Sequence, residues 1–260
     1  MIFFRYLDNL SWGIGSVIVV LLFIAFSVIG TVIVRSLVNT SKLKAHHDVA
    51  GYVFANLGVL YSVLLGFTVV NVQQRFDKIN EITQTEASHL EELYRNSEVF
   101  SESDGNLIRN SIKAYTESVI NDEWPSLSNR EFSQKTKETF NLIWKAYYNV
   151  GPLDSKQQTW YGESINKLNM LMNARLSRML GGQESLGSEM WVLLILGGLV
   201  IISFMWFFGL DKIGTHLLMT SILASVTAFM LYLIYSLDTA FVGDVNIAPE
   251  AFKDILSFFR

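Results

Sequence analysis

Cysteine is absent from this 260-residue chain, and only three prolines occur in it. Without a thiol there is no disulfide, no thiolate metal site and no cysteine nucleophile. An excess of positive charge is also missing, since 20 Lys plus Arg stand against 24 Asp plus Glu, a net charge of −4. Between Arg75 and Glu189 there are 13 basic and 17 acidic residues, so this block holds the whole imbalance and the remainder balances at 7 against 7. That distribution offers no basic surface of the kind nucleic acid requires. Glycine-rich phosphate loops, an H-E-x-x-H helix and a serine with a patterned base are all missing, so no catalytic residue can be named and an enzyme is not expected.

The most informative absence is that of Asp, Glu, Lys and Arg from four apolar stretches: Trp12 to Val34, Val49 to Gln74, Met190 to Leu210 and Ile213 to Leu237. Each is long enough for the roughly 20 residues with which a helix crosses a hydrocarbon core of about 30 Å. The first exceeds a signal-peptide core and lacks a small-x-small cleavage site, which makes it a retained anchor. The expected fold is an all-α membrane protein with four transmembrane helices and an extramembrane helical bundle inserted between the second and third. Its divisions are a first helix pair over 1–74, the bundle over 75–189, a second pair over 190–237 and a polar tail over 238–260. Two and two spans place both termini and the bundle on one side. Arg35, Lys42 and Lys44 in the first hairpin turn set against Arg5, Arg75, Lys78, Arg175 and Arg178 leave sidedness open. A multi-pass protein of a bacterial inner membrane is the expected setting, with the lipid bilayer as its first partner.

No breaker follows the second span, and Phe76, Ile79, Ile82, Ala87, Leu90 and Leu93 extend it as one long helix to about Glu98. Leu107, Ile108, Ile112, Tyr115 and Val119 mark a second bundle helix ending near Trp124 and Pro125. A third starts near Asn129 and ends near Gly151. Asp154 or Ser155 caps a fourth, whose apolar stripe reads Trp160, Ile165, Leu168, Met172, Leu176 and Met179 before Gly181 and Gly182 stop it.

Within the second span Gly51, Ala55, Gly58, Ser62 and Gly66 fall at steps of 4, 3, 4 and 4, one continuous small-residue face, with Asn56, Thr68 and Asn71 near it. Such a face suits close packing against another helix. It also suits the wall of a hydrated pathway on an oligomer axis. Ser221, Ala224, Ser225 and Ala228 in the fourth span read as packing. Proton-coupled transporters keep ionisable groups at depth, whereas here only His216 approaches the membrane interior, and its position reads as interfacial. Passive conduction or a non-transport role is favoured over active transport. Glu86 and His89 make a single E-x-x-H on a helix, but a di-metal bundle needs a second copy, so the pair is placed on a solvated face and no metal or cofactor is expected, while Glu86 weighed by itself reads as a salt bridge or hydrogen bond that fixes the bundle. His46 and His47 read as an exposed turn.

The segment DVAGYVFANLGVLYSVLLGFTVVNVQQRFDKINEITQTEASHLEELYR from Asp48, together with LYLIYSLDTAFVGDVNIAPEAF near the end, resembles a bestrophin-like family of mainly bacterial multi-pass membrane proteins. Gly66, Phe67, Glu86, Ala87, Leu93, Tyr94 and Arg95 carry the resemblance most specifically. Leu237, Asp238, Phe241 and Gly243 match a leucine, aspartate, x, proline, phenylalanine, x, glycine pattern, with Ala240 where proline is expected. Bestrophins are oligomeric anion channels, so the resemblance implies a homo-oligomeric, anion-conducting channel handling inorganic ions, its pathway lined by the second span. Pore-lining or helix-packing candidates are then Gly51, Ala55, Asn56, Gly58, Ser62, Gly66 and Asn71. Arg75, Glu86 and Arg95 are candidate charges at the pore mouth. No acidic run resembles a calcium clasp. The alternative is a membrane-anchored sensor or interaction protein whose bundle binds a partner.

Overall fold

The computed structural model describes residues 10–38, 43 and 47–259. Arg5, Lys42, Lys44 and His46 lie outside the described residues, as does the side chain of His47. Among the described residues the secondary structure is helical throughout, and four helices are long and apolar enough to cross a membrane. The helices are α1 (Trp12–Leu37), α2 (His47–Asn96), α3 (Glu102–Ser118), α4 (Trp124–Ser128), α5 (Gln134–Tyr148), α6 (Ser155–Gly181), α7 (Ser188–Met205), α8 (Ile213–Asp238) and α9 (Glu250–Phe258). They divide into two compact units. One comprises Met1–Gln74, Ser185–Thr239 and Gly243–Val245; the other comprises Arg75–Glu184, Ala240–Val242 and Asn246–Arg260.

In the first unit α1 lies along α8, and glycine sets how close they come. A methyl group on Gly15 would collide with the Tyr232 hydroxyl, and one on Gly30 would collide with the Trp206 indole. Val19, Ser27 and Thr31 complete this buried face, and Thr31 Oγ1 donates to the Ser27 carbonyl at 2.8 Å. In lipid, helix association depends on such close packing, because apolar side chains gain nothing by leaving one hydrocarbon surface for another. α8 answers with Ala224 and Ala228, both fully buried. The membrane part of α2 docks on α7 through Tyr61, whose ring sits against Gly197 and Gly198 and whose hydroxyl donates to the Leu194 carbonyl at 2.8 Å.

The third span ends at Met205, five residues before its apolar stretch does. Past it the chain tightens into i to i+3 bonds, Trp206 N donating to Ser203 O at 3.1 Å, Phe207 N to Phe204 O at 3.2 Å and Phe208 N to Met205 O at 3.2 Å, while His216 Nε2 meets Met205 O at 2.9 Å and Arg35 Nη1 donates to Leu210 O at 2.8 Å.

The second unit is a bundle of α3, α5, α6, α9 and the later part of α2. Its core includes Leu90, Leu93, Ile108, Ile112, Ile143, Leu168 and Leu171. Helix starts follow local chemistry. Ser101 Oγ accepts from Asp104 N, Ser133 Oγ accepts from Thr136 N, and Asp154 forms a reciprocal capping box with Gln157.

Three sequence expectations change here. The helix expected to stop at Trp124 and Pro125 instead widens into a π-turn over Val119–Glu123 and resumes as α4. Proline is tolerated there because it occupies the first turn, where its missing N–H has no helical partner to lose. The segment read as a polar tail contains α9, whose Phe252 and Ile255 are buried in the bundle core. Finally, α6 buries Ser164, Leu168, Leu171, Arg175 and Arg178, whereas Met172, Leu176 and Leu180 face outward. The apolar stripe assigned to this helix therefore follows its core face only at Ile165 and Leu168 and leaves it at Met172 and Leu176.

Candidate functional site

On the membrane part of α2, one face is covered and the other is open. Tyr61, Leu65, Thr68 and Val72 are buried. Ala55, Asn56, Ser62, Gly66 and Asn71 are exposed, and Gly51 and Gly58 are half-buried. A methyl group added at Gly51, Gly58 or Gly66 would meet no atom within 4 Å. The small-residue stripe is thus not used for packing between the described helices of a single chain. The glycines that do serve that purpose are Gly15, Gly30, Gly197 and Gly198. The polar members are satisfied along their own helix, with Asn56 Nδ2 donating to Tyr52 O at 2.8 Å and Ser62 Oγ to Val59 O at 2.9 Å. Asn71 borders an apolar groove of about 470 Å³, lined also by Leu60, Phe67, Thr68 and Met190.

The bundle holds a second constellation, of which only Glu86 is a site candidate from sequence. Glu86 has no exposure, and its carboxylate accepts from Arg178 Nε at 2.6 Å, Arg178 Nη2 at 3.1 Å and the Tyr115 hydroxyl at 2.6 Å. Arg178 is equally buried and bridges to Glu123, with Nη2 donating to Oε1 at 2.5 Å. Arg175 Nη2 then reaches Glu123 Oε2 at 2.7 Å. Two carboxylates and two guanidiniums leave the cluster with no net charge. Aromatic faces complete it, with Arg178 over Trp124 at 4.8 Å and Arg175 over Phe140 at 5.2 Å.

Burial would push Glu123 up, but Arg178 and Arg175 outweigh it and hold the carboxyl below its ordinary range. Burial would likewise lower Arg178, and Glu86 and Glu123 reverse that. Tyr115 is pushed well up, by burial first and by the two carboxylates next, so it serves as a neutral donor. Glu123 ends the π-turn, a local widening that shifts the residues after it around the helix axis.

These positions correct the solvated face assigned to the Glu86 and His89 pair and agree with the reading of Glu86 alone as a bundle-fixing salt bridge. Glu86 points inward with both oxygens engaged. His89 is half-buried and lowered chiefly by burial, with the Glu92 charge opposing. Among the described residues no group of three His, Asp or Glu could hold a metal ion. Arg95 is exposed and pairs with Glu91 at 2.5 Å one turn earlier, and Arg75 is half-buried. His216, read as interfacial, has no exposure. Gly243 adopts a φ of 79°, a left-handed conformation that explains why glycine closes the leucine-aspartate pattern. With Ala240 in place of proline the turn still forms, and the Ala240 carbonyl accepts from Ile247 N at 2.8 Å.

Four helices long and apolar enough to cross a membrane, with a helical bundle inserted after the second, define an all-helical multi-pass membrane protein. Residues 21–252 match the model of the bestrophin-like domain family, and the chain belongs to that family, whose bestrophin members are known as ion channels. Solved structures agree on the fold. A bacterial bestrophin homologue from Klebsiella pneumoniae aligns with a TM-score of 0.71 and 14% identity over 92% of this chain and 96% of its own. A single-residue variant of a Klebsiella pneumoniae bestrophin homologue gives 0.72 and 13% over 92% and 97%. A further membrane-protein variant gives 0.68 and 14% over 92% and 96%. No curated protein sequence matches the chain.

Proposed function

We propose that this chain assembles with copies of itself into an anion-conducting channel whose pathway is lined by the second span. The observation that carries the reading is the open face of α2. Gly51, Gly58 and Gly66 present backbone to empty space, and Ala55, Asn56, Ser62 and Asn71 present small or neutral polar side chains beside them. A wall of that kind lets helices from several chains surround an axis and still leaves room for water. No carboxylate occurs on the helix between Asp48 and Asp77, and the first charge after Asn71 is Arg75. That ordering favours anions over cations at the end of the stripe. Of the candidate mouth charges, Arg75 lies nearest the stripe, four residues after Asn71, whereas the Glu86 carboxylate is buried against Arg178.

The test is chloride efflux from liposomes holding the purified protein, alongside native mass measurement of its subunit number. Efflux that exceeds potassium flux, and that falls when Arg75→Glu is introduced, supports the reading. A monomer that passes no ion overturns it.

A further inference from the structure

The last turns of α6 show no charge to solvent. From Asn169 to Gly181 the only ionised side chains are Arg175 and Arg178, and both are buried in the bundle. Met172, Leu176 and Leu180 stand 41%, 52% and 50% exposed. They fall four residues apart, so they form one ridge about 12 Å long. The first half of the same helix carries Lys156, Glu163 and Lys167 instead. An uncharged face of methionine and leucine on a bundle helix has the composition of an interface core, not of a wetted surface.

A groove that fits this ridge lies on the other flank of α6. It holds about 590 Å³ between α6 and the bundle part of α2, with Ile82, Met170 and Ala174 in its lining. Its lysines are already neutralised, Lys78 by Glu81 at 3.0 Å and Lys167 by Glu92 at 2.6 Å. From Lys78 to His89 it runs about 16 Å along α2, so the whole ridge fits within it. Met172 and Leu176 stand two positions, about 200° of helix, from Met170 and Ala174. Ridge and groove therefore face opposite ways and cannot meet within one chain.

We infer that the α6 ridge of one copy packs into the α2–α6 groove of the next, a head-to-tail contact between bundles. An uncharged ridge is matched by a surface whose charges are already paired, and this chain supplies that surface itself. Because the two surfaces differ, the contact is heterologous, and repeated around an axis it closes a ring. The inference rests on the self-assembly proposed above and assigns the bundle's share of it.

The absence of cysteine permits a direct test on the full chain in liposomes. Leu176→Cys on the ridge, combined with Thr85→Cys in the groove, gives on oxidation a ladder of covalent species beyond the dimer, because each chain offers one thiol to either neighbour. Either single variant can reach a dimer at most. Leu142→Cys with Thr85→Cys, which puts the first thiol on the exposed surface of α5, gives no ladder. Leu176→Glu sets an unpaired carboxylate on the ridge, and native mass measurement then shows assembled species falling at least about tenfold relative to monomer. The position is exposed in a single chain, so the monomer keeps its thermal midpoint. No ladder, an equal ladder from Leu142→Cys, or an assembly indifferent to Leu176→Glu overturns the inference. A natural chain that is monomeric overturns the self-assembly reading with it, whereas a ladder from a chain that passes no chloride supports the contact and overturns conduction alone.

Discussion

Arg178→Met removes the guanidinium from the bundle cluster while keeping much of the side-chain length. Three charge-assisted bonds disappear, two to Glu86 and one to Glu123. Glu123 retains Arg175 at 2.7 Å, but Glu86 is left with only the neutral Tyr115 hydroxyl. The variant thus strands one fully buried carboxylate, a change that costs about 3–5 kcal/mol. For a chain of this size the thermal midpoint falls by about 6–20 °C. The decisive comparison is Glu86→Leu combined with Arg178→Met, which removes a charge pair and leaves Glu123 and Arg175 balanced. If stranded charge is the cause, the double variant recovers about 2 kcal/mol or more of the loss, even though Tyr115 loses its acceptor. Thermal unfolding in detergent, followed by tryptophan fluorescence, measures the natural chain and both variants. A double variant no more stable than Arg178→Met would refute the reasoning, because lost packing would then explain the single change.

Two glycines offer a contrast within the membrane unit. Gly30→Leu drives a side chain into the Trp206 indole and lowers folded yield sharply, whereas Gly58→Leu meets open space, keeps the monomer folded and reduces subunit association seen by native mass measurement. Glu123 sets an acid limit: a carboxyl held low in the folded state contributes stability above its unfolded value and loses it as pH falls through the folded one. Unfolding midpoints measured from about pH 7 down to about pH 3 therefore decline at the acid end, and Glu123→Gln flattens that decline.

The spans were legible because twenty or more apolar residues without charge have one ready explanation, and the helix breaks at Gly151 and Gly181 because glycine and proline act locally. Facing was legible only where it follows hydrophobicity. On α6 the sequence pattern selects Met172 and Leu176, yet Arg175 and Arg178 go inward, since their acids sit 52 to 92 residues away in the chain. No periodicity on one helix can reveal a partner on another. The same limit hid Gly15 and Gly30. Their spacing says little until Tyr232 and Trp206 arrive from distant spans to fill the space they leave. The stripe on α2 was visible because its glycines, alanine and serine are regularly spaced. That it stays uncovered within one chain is a fact about all the other helices.

The inward arginines of α6 also impose an order on biosynthesis. Glu86 and Glu123 leave the ribosome well before Arg175 and Arg178, so the acidic half of the cluster exists for a time without its counterions. Those carboxylates resist dehydration until α6 is made, which holds the earlier helices back from closing on each other. When α6 arrives, Leu168 and Leu171 turn its middle inward, and the waiting acids fix the face of its last turns through Arg175 and Arg178. A nascent chain cut short before Arg175 would consequently remain an open, hydrated set of helices, and the last long helix of the bundle is the piece that lets the others dry.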